Sequence, residues 1–135
     1  MKNTNAAILE LSNVGIGLPL GADRQWAVRD ISLTILPQQT LCLVGESGSG
    51  KSSLAKCLLR LEKTNSGKIY YRGKDITDLK GAHLRNFRSK VQVVLQDPFG
   101  ALDPRFKIID AIAEGPIIHG SSWNEANSRA IEMLS

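Results

Sequence analysis

An eight-residue glycine-rich segment constrains the fold of this chain more than any other feature of the sequence. It matches the pattern G-x-x-x-x-G-K-[ST] without a mismatch. The segment consists of Gly45, Glu46, Ser47, Gly48, Ser49, Gly50, Lys51 and Ser52. It follows a nearly continuous apolar run, residues 40–44, and precedes apolar residues at helical spacing, Leu54, Leu58 and Leu61. A loop between a buried strand and a helix is the context in which this pattern binds phosphate, and it predicts an α/β fold.

Each residue type in this loop suits the binding of a chain of phosphates. Glycines let the backbone curl closely around the anion, and successive N–H groups from Ser47 to Ser52 then point inward. The following helix adds the positive end of its dipole. We expect the Lys51 ammonium to reach the β- and γ-phosphates of ATP and the Ser52 hydroxyl to ligate Mg²⁺. Ser53, the next residue, completes the predicted nucleotide site.

A flexible glycine turn without a ligand is the alternative interpretation of this segment. With ordinary residue frequencies, a chance match to the pattern in a chain of this length is on the order of one in two hundred. The apolar run before the loop and the helical pattern after it favour the phosphate-binding interpretation further.

Composition limits the class of protein and its location. Hydrophobic residues make up 42% of the chain, which allows a core. No stretch approaches the ~20 apolar residues that span a bilayer. The N-terminus does not lead into an apolar signal-peptide region, so we expect a cytosolic protein that reaches a membrane by binding a partner there. Cys42 and Cys57 match neither a metal site nor a redox pair, and both are interpreted as buried hydrophobes.

A mild positive charge leaves nucleic-acid binding as a minor alternative. The net charge is +4, and the densest basic cluster comprises Lys80, Arg85, Arg88 and Lys90. At helical spacing such side chains are typical of a solvated helix face, and no aromatic stacking residues accompany them. No nucleic-acid partner is therefore expected.

Hydrophobic periodicity predicts a mixture of strands and helices. Strands are predicted at residues 8–11, 31–35, 40–44 and 91–95, with a small hairpin at 68–76. Helices are predicted at about 51–61, 79–90 and 108–114, and from Ser121 or Ser122 to Ser135. Residues 13–23 and 97–105 are rich in glycine or proline and are predicted as loops.

A second informative segment follows the predicted strand at 91–95. It begins at Gln96 and continues Asp97-Pro98-Phe99-Gly100-Ala101-Leu102-Asp103-Pro104-Arg105. With these residues and the glycine-rich loop, the chain resembles ATP-binding subunits of ATP-binding cassette (ABC) transporters, and most of all those of peptide/nickel-type importers. Ser66-Gly67 and Ala113-Glu114 belong to the same resemblance, which runs from about Ile8 to the end of the chain.

The resemblance implies roles for two further residues. The glutamine at the position of Gln96 contacts Mg²⁺ and the attacking water in that family, and its loop responds to the membrane-spanning partner. The family also stacks adenine on an aromatic residue upstream of the loop, for which Trp26 is the nearest candidate. Trp26 is equally well interpreted as an aromatic that packs on a sheet. The chain departs from the family at Gln38-Gln39, where Gly-Glu is usual, and at Ser53, where Thr is common.

The resemblance implies the front part of a P-loop NTPase core with an N-terminal antiparallel β-subdomain. Residues 1–39 and 68–77 would form the β-subdomain, and 40–66 the strand, loop and helix around the phosphates. Residues 91–105 would form the glutamine-containing loop, and 106–135 the start of a helical subdomain. The sequence ends at Ser135, before the family's signature motif, its Asp-Glu strand and its switch histidine. We therefore expect ATP binding, without hydrolysis by these residues alone and with apolar strand edges exposed.

Partners and location are also implied by the resemblance. They are transmembrane permease subunits, a second ATP-binding subunit arranged head to tail and, indirectly, an extracytoplasmic solute-binding protein. The implied location is peripheral, on the cytoplasmic face of the plasma membrane. Two alternatives stay open at this point: a non-transport ABC protein that acts on ribosomes or DNA, and a non-catalytic nucleotide-binding remnant.

Overall fold

The computed structural model describes residues 6–18, 25–97, 100 and 102–135. The chain divides into two units, Met1–Leu84 and Arg85–Ser135. In the described part of the chain, no helix combines the length and apolar character required to cross a membrane.

The first unit is built on a four-stranded antiparallel sheet with the strand order β2-β1-β3-β4. The strands are β1 (Leu9–Leu18), β2 (Gln25–Ile35), β3 (Ser66–Tyr71) and β4 (Lys74–Asp75). β1 pairs with both β2 and β3, for example Leu11 with Leu33 on one side and with Ile69 on the other. This sheet confirms the predicted N-terminal antiparallel β-subdomain.

β1 continues well into the segment that was predicted as a loop. The prediction is wrong for residues 13–18, because Val14 and Ile16 are buried and the ladder continues past them through bulges. Asn13 has a positive φ of 50°, which lets the strand change register there. The rest of the predicted loop, residues 19–23, lies outside the described residues.

The core of the first unit lies between the sheet and helix α1 (Lys51–Leu58). Leu11, Val14 and Ile69 of the sheet are fully buried, and Leu54 and Cys57 are the buried residues of α1. Burial raises the pKa of the Cys57 thiol, because the charged thiolate is disfavoured away from water. This agrees with the interpretation of Cys57 as a buried hydrophobic residue. The matching interpretation of Cys42 is wrong, since that residue is exposed.

The two apolar runs that predicted buried parallel strands form no strand in this structure. Residues 40–44 and 91–95 are outside all four described strands, and Val44 and Val94 are 89% and 97% exposed. A strand needs a neighbour to share its backbone hydrogen bonds, and no described segment forms a ladder with either run. The apolar composition of residues 40–44 and 91–95 predicted that they would be buried, but no described strand pairs with them.

The turn before residues 40–44 carries Gln38, where the ABC proteins that the chain resembles usually have glycine. Gln38 has a φ of 60°, a left-handed conformation that glycine adopts without strain. The turn still closes, because the Gln39 N–H donates to the Leu36 carbonyl at 3.2 Å and the Leu36 N–H donates to Gln39 Oε1 at 2.9 Å. A glutamine thus occupies a position better suited to glycine.

The hairpin between β3 and β4 was predicted correctly. Arg72 and Gly73 have φ values of 50° and 74°, the pair of positive angles that a tight two-residue hairpin turn requires. Beside the turn, the Thr77 N–H donates to Asp75 Oδ1 at 2.9 Å, and Lys68 Nζ lies 3.1 Å from Asp75 Oδ2. Hydrogen bonds from Thr77, followed by that from Lys68, lower the pKa of Asp75 from 3.8 to about 2.

The low pKa of Asp75 predicts a pH-dependent contribution to stability. Because the pKa of Asp75 is lower in the folded state, its contribution is complete above about pH 4 and disappears as the pH falls to about 2. We expect Asp75→Asn to lower the melting temperature slightly near neutral pH and to have a much smaller effect at pH 2. Thermal unfolding of both proteins from pH 6 to pH 2 measures this difference. A difference that stayed constant over the whole range would contradict the assignment.

The division between the two units falls within helix α2 (Gly81–Arg88). The basic residues predicted to be solvated are all exposed, while Phe87 is buried. The second unit contains α3 (Ile108–Ile118) and α4 (Trp123–Leu134), which pack through Ala113, Ala126 and Ala130. α3 is longer than predicted and includes Pro116.

The predicted cap of the last helix is confirmed in detail. The Glu125 N–H donates to Ser122 Oγ at 3.3 Å, and the Ser122 N–H donates to Glu125 Oε2 at 3.0 Å. This reciprocal pair is a capping box, which satisfies two backbone donors at the start of α4. The same bonds from Ser122 lower the pKa of the Glu125 carboxyl.

Candidate functional site

The glycine-rich loop leads directly into helix α1. Gly50 is the N-cap residue and adopts a left-handed conformation, with φ 90° and ψ 3°. No side chain caps this helix start, although Ser122 caps α4 in the same chain. The first N–H groups of a helix have no partner within the helix, so the start of α1 offers donors to an anion.

Gly50 is required at its position for two separate reasons. Its φ of 90° is unfavourable for any residue with a side chain. In addition, a Cβ atom on Gly50 would lie 2.2 Å from the Ala27 carbonyl oxygen and 2.8 Å from Val28 Cγ2. β2 therefore passes against the end of the loop. Gly48 also has a positive φ, 81°, but a Cβ atom there would meet nothing within 4 Å.

The Lys51 side chain folds back over the loop from which it comes. Its ammonium donates to the Gly45 carbonyl at 2.7 Å, to the Glu46 carbonyl at 2.6 Å and to Ser49 Oγ at 3.1 Å. The Ser49 N–H also donates to the Glu46 carbonyl at 3.3 Å, so the loop turns back between these residues. The positive charge thus lies within the curve of the loop, where an anion would be held.

The remaining residues of the loop are accessible to a ligand. Glu46, Ser47, Gly48, Ser49 and Ser52 are exposed, while Ser53 is half-buried. No group of three or more His, Cys, Asp or Glu side chains that could hold a metal ion occurs among the described residues. The Ser52 hydroxyl is exposed at the start of α1, and a hydroxyl oxygen is chemically suited to be one ligand of Mg²⁺.

The contacts of Trp26 favour packing on the sheet. A Cβ atom on Gly15 of β1 would lie 2.7 Å from the Trp26 indole, so the ring lies directly against that glycine. The Arg29 guanidinium lies 6.0 Å from the centre of the ring. Trp26 is nevertheless 37% exposed, and its neighbour Ala27 touches Gly50. The structure therefore shows the packing contact and leaves part of the indole accessible.

Gln96 belongs to the second unit, whereas the glycine-rich loop belongs to the first. Its side chain is exposed, and the Asp97 carboxylate beside it accepts a hydrogen bond from the Gly100 N–H at 3.0 Å. Pro98, Phe99 and Ala101, which contributed to the resemblance, lie outside the described residues. The structure thus brings together the loop residues of the predicted site, and Gln96 is described within its own unit.

The end of that resemblance forms a turn with its own ion pair. Arg105 Nε donates to Asp103 Oδ1 at 2.9 Å, and Arg105 Nη2 donates to Asp103 Oδ2 at 2.6 Å. This two-pronged contact lowers the pKa of the Asp103 carboxyl. The pair is accessible to solvent and joins residues two apart, so it stabilises only the local turn.

Two contacts at the loop were not anticipated from the sequence. The pattern leaves position 49 variable, so it gave no reason to expect Ser49 beside the Lys51 ammonium. Nor does any motif include Ala27, whose carbonyl limits the size of residue 50. The Ser49 contact depends on the conformation of the loop, and the Ala27 contact depends on the path of β2, so neither leaves a pattern in the sequence.

Comparison with known proteins supports a family assignment. The sequence model of the ABC transporter family matches residues 28–135. The oligopeptide transport ATP-binding protein OppF of Streptococcus mutans is 37% identical over 131 residues, which are 96% of this chain and 42% of that protein. The dipeptide transport ATP-binding protein DppF of Lactococcus lactis is 35% identical over 132 residues, 94% of this chain and 42% of that protein. The chain thus spans less than half the length of these relatives.

A solved structure supports the fold. The ABC transporter cassette MJ0796, in a dimeric post-hydrolysis state bound to ADP and phosphate, matches with a TM-score of 0.77 at 24% identity. The match covers 93% of this chain and 55% of the cassette. It confirms the predicted cassette fold. Since the family model also covers most of the residues, including the glycine-rich loop, the chain belongs to the ABC transporter family.

Proposed function

We propose that this chain binds Mg²⁺-ATP through residues 45–52 and forms part of the energising subunit of an importer for peptides or similar small solutes. The observation that carries the proposal is the Lys51 ammonium within the loop, next to an uncapped helix start. Both features favour a bound anion with several negative oxygens. The relatives named for oligopeptide and dipeptide transport support the class of solute.

Within the proposed site, each group has a distinct role. The N–H groups from Ser47 to Ser52 would surround the β-phosphate, and Lys51 would contact the β- and γ-phosphates. Ser52 and Gln96 would supply oxygen ligands to Mg²⁺, which when bound neutralises phosphate charge. Gln96 would also orient the attacking water, since an amide oxygen can accept its hydrogen bond. The exposed part of Trp26 would contact the adenine.

The domain layout and the partners follow the same proposal. Residues 1–39 and 68–77 would form the β-subdomain, 40–66 the phosphate site, 91–105 the glutamine-containing loop, and 106–135 the start of the helical subdomain. A second ATP-binding subunit and transmembrane permease subunits would complete the transporter on the cytoplasmic face of the membrane. Dimeric MJ0796 and the import relatives support this assembly. These relatives do not favour a role on nucleic acid.

Hydrolysis needs more groups than this chain is proposed to supply. A water-positioning group is represented by Gln96, but a charge clamp for the transition state is also required. We therefore propose that the residues described here bind the nucleotide, and that turnover depends on further groups of the assembled transporter.

Nucleotide titration of the full-length protein tests the proposal. We expect Mg²⁺-ATP to shift the backbone amide NMR signals of residues 45–53, because their N–H groups would contact the phosphates. AMP, which has the same base and sugar without the β- and γ-phosphates, should leave most of these signals in place. Loop signals that did not respond to Mg²⁺-ATP in the folded protein would refute nucleotide binding at this site. Co-purification with permease subunits tests the importer assignment separately.

A further inference from the structure

The Lys51 ammonium has as many hydrogen-bond acceptors in the loop as it has N–H donors. An ammonium group carries three donors, and three acceptors lie within 3.1 Å of Lys51 Nζ. Two of them are the backbone carbonyls of Gly45 and Glu46, which any residue at those positions would provide. The third is the hydroxyl of Ser49, so it is the acceptor that a substitution can remove.

The loop holds the Ser49 hydroxyl in place for this contact. The Ser49 N–H is fixed on the Glu46 carbonyl at 3.3 Å. Its hydroxyl lies against Gly45, where an added Cβ atom would come within 2.8 Å of Ser49 Oγ. A side chain at position 45 would therefore displace the hydroxyl from its place beside the ammonium. The general pattern assigns no role to position 49, so this arrangement belongs to the particular residues of this chain.

We propose that Ser49 is a positioning residue that holds the Lys51 ammonium against the loop, in competition with phosphate oxygens, and thereby sets the affinity for nucleotide. The inference rests on the proposed function, because a phosphate group is the competitor for the same ammonium. Each hydrogen bond that Lys51 makes to a phosphate oxygen replaces one that it makes to the loop. The contact with Ser49, at 3.1 Å, is the longest of the three and the first to be exchanged.

The nucleotide-free protein provides a direct test. In full-length protein with ¹⁵N-labelled lysine, the ammonium signal of Lys51 is identified by its loss in Lys51→Ala. We expect Ser49→Ala to increase the rate of its hydrogen exchange with water severalfold, because one of its acceptors is lost. Ser49→Thr keeps a hydroxyl on the same carbon and should restore slow exchange. Equal exchange rates in the wild type and Ser49→Ala would overturn the proposal, whatever the outcome with nucleotide.

The affinity for Mg²⁺-ATP provides the second test, by calorimetry on the same proteins. Loss of one hydrogen bond to Lys51 in the nucleotide-free protein should lower the Kd of Ser49→Ala by about threefold, within a range of about two- to tenfold. Ser49→Thr should reverse this change. A higher Kd in Ser49→Ala would overturn the proposal, because the hydroxyl would then stabilise the bound nucleotide. An unchanged Kd would also overturn it, because the hydroxyl would then have no effect on binding. If the wild type bound no nucleotide, the proposed function would fail, while the exchange experiment would still decide the role of Ser49.

Discussion

Replacement of Lys51 by alanine is expected to raise the Kd for Mg²⁺-ATP about 100-fold or more. The substitution removes the ammonium that would contact the β- and γ-phosphates, and charge-assisted hydrogen bonds of this kind contribute about 1.5–3 kcal/mol each. A loss of about 3 kcal/mol corresponds to roughly two orders of magnitude in affinity. Calorimetry or a fluorescent ATP analogue measures the change.

Lys56→Ala is the matched control for this substitution. Lys56 lies on the same helix, is exposed and pairs with Glu62 at 3.4 Å, outside the glycine-rich loop. Its replacement removes the same charge from the protein and should leave the Kd within about twofold of the wild type. A similar loss in both variants would mean that overall charge determines affinity. Wild-type affinity in Lys51→Ala would contradict the assignment of the site.

Replacement of Gly50 by alanine is expected to destabilise the first unit by about 2–4 kcal/mol and to abolish nucleotide binding. The added Cβ atom would lie 2.2 Å from the Ala27 carbonyl oxygen, and the φ of 90° adds conformational strain. β2 and the start of α1 must then move apart, which displaces the N–H groups that would contact the phosphates under the proposed function. Thermal unfolding and Mg²⁺-ATP titration of the same variant measure the two effects.

Gly48→Ala is the control that separates the two causes of destabilisation in Gly50→Ala, the collision with Ala27 and the strain of a positive φ. Gly48 has a similar φ of 81°, but no atom lies within 4 Å of an added Cβ. We expect it to lose only the conformational part, about 1 kcal/mol. Equal melting temperatures for Gly48→Ala and Gly50→Ala would show that β2 does not press against the loop as described.

Local chemistry determined the parts of the structure that were predicted well. The glycines and Lys51 specify the loop through their own conformational and charge properties, and Ser122 and Glu125 specify the start of α4 through a reciprocal bond. The hairpin at Arg72 depends on two adjacent positive φ values, and Gly73 adopts the second of them without strain. In each case the residues that interact are close in sequence.

The parts that were predicted poorly depend on residues far away in sequence. Residues 40–44 have the composition of a buried strand, but a strand forms only when a neighbour provides hydrogen-bond partners. β1 was cut short because its glycines suggested a turn, whereas they permit bulges and the close approach of Trp26. α3 was predicted to end at residue 114, although the helix continues through Pro116 to Ile118.

The contact between Ala27 and Gly50 has a consequence for how the two ends of a nucleotide would influence each other. The indole of Trp26 and the carbonyl of Ala27 belong to adjacent residues of one strand. Under the proposed function, a base on the indole and phosphates at the start of α1 would both depend on this strand, so we expect substitutions at Trp26 to change base preference and triphosphate affinity together.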